Sequence, residues 1–142
     1  MWVLLKKNKY LGFFHLYLLK KNFKFFSKKD TISIKSVAVQ HGKIKSQSFI
    51  INESCAYIND ANKIHKKDMK YFKNLNYFVI DCLRHHKHPS HFNLTEVIEL
   101  VKILKPKKTI LTNLHSDLDY NDLINILPKN IVPAYDGMSF YI

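Results

Sequence analysis

One stretch constrains the fold of this chain more than any other: an amphipathic helix set between two short apolar strands. Leu94, Val97, Ile98, Val101 and Leu104 fall on a single helical stripe. Asn93 can cap its start, with Glu96 three residues on, and Pro106 closes its end. Tyr77–Asp81 (YFVID) before it and Thr109–Thr112 (TILT) after it are short and almost wholly apolar, as expected for strands buried on both faces. A strand, a helix and a strand in succession make a layered α/β fold.

The text around this unit is equally orderly. Thr31–Val39, Ser48–Asn52 and Cys55–Ile58 read as strands, the last two joined by a polar turn at Asn52–Ser54. Lys66–Leu75 reads as helical, Asp119–Leu127 as a second amphipathic helix ending at Pro128. Ile131–Ala134 and Ser139–Ile142 read as a closing hairpin around Asp136-Gly137.

Composition changes near Asp30. The chain has 142 residues and a formal charge of +12, but residues 1–29 hold eight lysines and no acid, so residues 30–142 carry only +4. We therefore divide the chain into a basic, aromatic segment 1–29, with no clean periodicity and expected to be poorly ordered, and a domain 30–142. The apolar run Tyr10–Leu19 is shorter than the roughly 20 residues needed to span a bilayer. Lys20 and Lys21 occupy the place of a signal-peptide cleavage site. Cys55 and Cys82 are too few for a disulfide framework and read as reduced, buried thiols. These features point to a cytoplasmic protein without a membrane span.

Chemistry-bearing residues gather just after the strands: His41-Gly42, Asn59-Asp60, Asp81, the group His85, His86, His88 and His91, and then Asn113, His115, Asp117 and Asp119. In α/β sheets, ligands bind beyond the carboxyl ends of strands. Groups of this type converging there suit zinc, manganese or iron.

The blocks VAVQHGKIKSQSFIIN, AYINDANKI, FVIDCLRHHKHPSHFNLTEVIEL, TILTNLHSDLDYNDL and LPKNIVPAYDGM resemble the C-terminal half of the metallo-β-lactamase-fold hydrolases. Within them the likeness is to the phosphoribosyl cyclic-phosphate phosphodiesterase branch. It runs from about Ile32 to Ile142. It implies a partial αββα sandwich, with a mixed sheet and flanking helices, and metal-dependent hydrolysis of a phosphodiester small molecule with two zinc or manganese ions. By this resemblance His41 is a metal ligand, Asp60 bridges two ions, and His91 acts near the scissile phosphate with Arg84. Asp81 supports the ligands from behind. Where the family has Leu-Thr-His, this chain reads Leu111-Thr112-Asn113. Either His115 takes over the ligand role, with Asn113 behind it, or one ion is lost. The family's first metal motif, His-x-His-x-Asp-His, has no counterpart here.

The resemblance thus implies a truncated or split hydrolase. Two alternatives are an inactive remnant or subunit completed by a second copy or a partner chain, and a basic nucleic-acid-binding module built on residues 1–29.

Overall fold

The computed structural model describes residues 2–7, 14–18 and 22–26 and, without a break, 31–142. Nine strands are described: β1 (Trp2–Lys7), β2 (Phe14–Leu18), β3 (Asn22–Phe26), β4 (Thr31–His41), β5 (Ile44–Ile51), β6 (Cys55–Ile58), β7 (Tyr77–Asp81), β8 (Lys108–Thr112) and β9 (Ile131–Pro133). A 3-10 helix spans Lys66–Phe72, and two α-helices span Leu94–Leu104 (α1) and Tyr120–Ile126 (α2). β1 and β2 pair with each other, and β3 to β9 form one sheet in chain order. Pairing is antiparallel from β3 to β6 and parallel from β6 to β9. This is the mixed sheet expected, and it draws β3 from within residues 1–29.

Turn chemistry sets the antiparallel half. His41 pairs with Ile44, so a two-residue turn joins β4 to β5, with Gly42 at φ 58°. Asn52 and Glu53, both at φ 51°, turn β5 into β6, and the Ser54 N–H donates to the Ile51 carbonyl at 3.0 Å. Positive φ at both central residues matches the right-handed twist of the flanking strands. The parallel half needs crossovers, supplied by the 3-10 segment, α1 and α2.

All three helical segments lie on one face of the sheet. Val97, Val101 and Leu104 of α1, Phe72 of the 3-10 helix and Leu123 of α2 pack with Val39, Ile50, Ile58, Phe78, Ile80, Leu111 and Ile131. Each such side chain, fully buried, stabilises the fold by about 1.5–3 kcal/mol. α1 begins with a complete capping box: Asn93 Oδ1 accepts from the Glu96 N–H at 2.9 Å, and the Glu96 carboxylate accepts from the Asn93 N–H at 3.1 Å. It ends with Lys105 in the left-handed region, its N–H bonded to the Val101 carbonyl. The opposite face of the sheet centres on Cys55, Val79 and Ile110, packed with Ile51, Tyr77, Val132, Ala134 and Met138.

The expected closing hairpin does not form. β9 runs parallel to β8 and ends at Pro133, and Ser139–Ile142 is not a strand. After Gly137 (φ 88°) the chain instead lays the Phe140 ring on Tyr77, 4.5 Å between centroids. The expected helix over Lys66–Leu75 is a shorter 3-10 helix, Lys66–Phe72. No helix among the described residues is long and apolar enough to cross a membrane.

Candidate metal centre

The carboxyl ends of β4, β6, β7 and β8 open onto one set of loops. His41 is the last residue of β4, and its turn is held from two sides. Gln40 Nε2 donates to the carbonyls of Gly42 and Ile44, and the Gly42 N–H donates to Asn62 Oδ1 at 3.0 Å. Asn62 Nδ2 then reaches the Pro89 carbonyl at 3.0 Å. Asn62 thus ties the His41 turn to the loop that carries His91.

Asp60 follows β6 at φ 51°, a conformation that aspartate tolerates, with its side chain exposed. Asp81, the last residue of β7, is fully buried. Its Oδ2 accepts from the Ala61 N–H at 3.1 Å, and its Oδ1 accepts from Asn113 Nδ2 at 3.2 Å. The same Oδ2 lies 2.6 Å from His91 Nδ1. That short contact places the His91 proton on Nδ1 and leaves the Nε2 lone pair facing outward.

His91 Nε2 lies 3.2 Å from His41 Nε2, with the rings edge to face. His41, Asp60 and His91 each present a donor atom within 4.8 Å of the others. Two imidazole nitrogens bound at about 2.0–2.1 Å to one tetrahedral ion would stand about 3.3–3.4 Å apart. The donor set therefore fits a divalent ion with no rearrangement of the His pair.

Not every residue expected at the site is drawn into this set. His115 turns away: its Nδ1 lies 2.9 Å from Asp117 Oδ1, its side chain is 60% exposed, and its N–H is bound to the Leu83 carbonyl. The Asp117 carboxyl is held below its ordinary value; burial acts against this and is outweighed by the His115 hydrogen bond and the His85 backbone. Arg84 is spent on its own loop, donating to the carbonyls of His86 at 3.3 Å and Lys87 at 2.9 Å. His85 and His86 are exposed. His88 comes close, its ring 5.0 Å from His91, with Nδ1 at 3.3 Å from the Ser90 N–H. Burial, Arg84 and His91, partly opposed by Asp81, hold the His88 imidazole below its ordinary value.

Two residues that organise the site went unread in the sequence, Gln40 and Asn62. Their one sequence signal is position: each is a polar residue beside a strand end already rich in such groups.

No family model matches the chain, and no curated protein does. Solved structures do. A diphosphatase of the PhnP family is 26% identical with a TM-score of 0.81, over 88% of this chain and 47% of that one. The metallo-β-lactamase-fold protein YhfI of Bacillus subtilis is 13% identical with a TM-score of 0.66, over 84% of this chain and 53% of that one. The short form of human tRNase Z is 14% identical with a TM-score of 0.62, over 83% and 46%. The chain therefore has the metallo-β-lactamase fold, as its C-terminal half, and spans about half the length of these similar proteins.

Proposed function

We propose that this chain is a metal-dependent hydrolase of phosphodiester bonds, with His41, Asp60 and His91 holding one divalent ion, zinc or manganese. The carrying observation is the 3.2 Å approach of His41 Nε2 to His91 Nε2 beside the Asp60 carboxylate. Likeness to a PhnP-family diphosphatase supports the phosphorus-centred chemistry. His41, Asp60 and His91 would hold the ion, which when bound would supply positive charge to a phosphoryl group and lower the pKa of a water.

The chain's own residues prepare this. Asp81 holds the Nδ1 proton of His91, so that Nε2 can donate its lone pair. Asn113 and the Ala61 N–H hold Asp81 in turn. Arg84 acts by gathering the loop between β7 and α1, and so sets where His88 and His91 stand. With Cys55 and Cys82 both buried and free, a reducing cytoplasmic setting suits the protein.

A second reading is a site completed by another polypeptide, a second copy or a partner chain. Three donors, one of them the exposed Asp60, support it.

The test combines elemental analysis with turnover of bis(p-nitrophenyl) phosphate. One ion per monomer, and turnover lost on Asp60→Ala, is the expected result. Two ions per chain found only in an oligomer would favour the second reading. Turnover without metal, or unimpaired in Asp60→Ala, overturns the proposal. His91→Ala is expected to lose the ion; retention of the ion with loss of turnover would make His91 a proton donor to the leaving group instead.

A further inference from the structure

On the helix-bearing side of the sheet, away from its carboxyl ends, two hollows lie side by side. One, of about 340 Å³, is lined by Asn22 and Lys24 of β3, Ser33, Ile34 and Lys35 of β4, and Ile50 and Glu53. The other, of about 250 Å³, shares Lys35, Ile50 and Glu53 and adds Lys70, Tyr71, Lys73 and Leu75. Together they form one elongated groove with four lysines and a single glutamate.

The lysines are organised. Lys35 Nζ sits 4.5 Å from the centroid of the Tyr71 ring, and Lys70 Nζ sits 5.1 Å from the same ring. A phenol face attracts an ammonium, and the one Tyr71 ring holds both cations in the groove. Among the described residues neither lysine forms an ion pair with a carboxylate. Two ammoniums on one ring, neither of them ion-paired, in a groove with four lysines to one glutamate make a place for an anion. Lys24 lines the first hollow, Lys35 both, and Lys70 and Lys73 the second, a series of cations that fits a row of anions better than a single one.

We infer that this groove binds the phosphodiester backbone of a single-stranded nucleic acid, with Tyr71 as the residue that positions Lys35 and Lys70. The inference stands independently of the metal centre, which none of these residues lines.

Fluorescence anisotropy of a labelled oligothymidylate, titrated with the full chain at several salt concentrations, tests it. Removing one phosphate-neutralising lysine flattens the slope of log K against log salt by about 0.7 for a single strand. The Lys35→Ala/Lys70→Ala variant is expected to bind at least fivefold more weakly, with a slope shallower by more than one. Tyr71→Leu should weaken binding with both lysines kept. The control Lys102→Ala/Lys105→Ala, on α1 and its cap, should bind as the parent does. Equal losses in the control, or parental binding in the groove variant, would overturn the inference. Displacement of the oligonucleotide by equimolar inorganic phosphate would also overturn it, since it would mean a single-anion site. Unchanged metal content in the groove variant separates this result from any failure of the metal centre.

Discussion

Asp81 Oδ2 stands 2.6 Å from His91 Nδ1, a buried carboxylate at the end of a strand gripping an imidazole ten residues further along the chain. The contact decides which His91 nitrogen faces His41. Removing the charge without removing the atoms is therefore informative. Asp81→Asn should leave the fold in place but weaken divalent-ion binding by about 10–100-fold, as loss of a partner behind a metal-binding histidine does. Isothermal titration with zinc and with manganese measures it. Equal affinity in the variant would mean that Asp81 does no more than fill its pocket.

Gly42 offers a second test at the neighbouring turn. Its φ of 58° is one that alanine rarely adopts, and a Cβ there would stand 3.1 Å from the Ser90 Cβ. Gly42→Ala should cost about 1–2 kcal/mol from the backbone conformation alone. It should also push the Ser90 loop, and His91 with it, away from His41. The expected pattern is a lower midpoint in urea and weaker metal binding together. Normal metal affinity in a destabilised variant would show that the loop absorbs the push without moving His91.

Much of the fold was legible because its signals are local. The Leu94, Val97, Val101, Leu104 stripe and the Asn93–Glu96 box specify α1 from neighbouring residues alone, and YFVID could hardly be anything but a buried strand. His41, Asp60 and Asp81 were legible by position, each at or just beyond a strand's carboxyl end. What could not be read is what long-range geometry decides. His91 and His115 look alike in sequence, but Asp81 orients the one into the set and Asp117 draws the other out. Ser-Phe-Tyr-Ile has strand propensity, but Phe140 finds a better place on the Tyr77 ring than beside β9. β3 has no clean periodicity of its own, and among the described residues it takes its strand pairing from β4 alone.

The two thiols make a prediction about pH. Burial foremost, then the charges of Asp81 and Asp117, pushes the Cys82 thiol from its ordinary 9.0 to about 12. Burial raises Cys55 as well. Both should resist a disulfide reagent at pH 8 in the native protein and react at once in denaturant. The unfolded chain releases the Cys82 proton near pH 9 and the folded chain only near 12, so the folded form binds more protons in between. Stability should therefore be whole below about pH 9 and fall as pH rises toward 12. Chemical denaturation at pH 8, 9.5 and 10.5 measures this, and native-state labelling at pH 8 as fast as in urea would refute the burial of these thiols.

The start of α1 joins fold and site, and so separates their contributions. Asn93 caps the helix, and its N–H is in turn held by Glu96. It also lies against Arg84, whose carbonyl accepts from the Leu94 N–H at 3.1 Å. Asn93→Ala removes the cap from a nearly buried position and should cost about 1–2 kcal/mol. Asn93→Asp keeps an acceptor for the Glu96 N–H but sets a second carboxylate beside Glu96, so it should recover only part of that loss. Because Arg84 also gathers the loop through the His86 and Lys87 carbonyls, His91 should keep its place in both variants. The expected outcome is a lower thermal midpoint with the parent's affinity for the divalent ion. A loss of affinity in step with the loss of stability would mean that the helix start, rather than the Arg84 loop and Asp81, sets the position of His91.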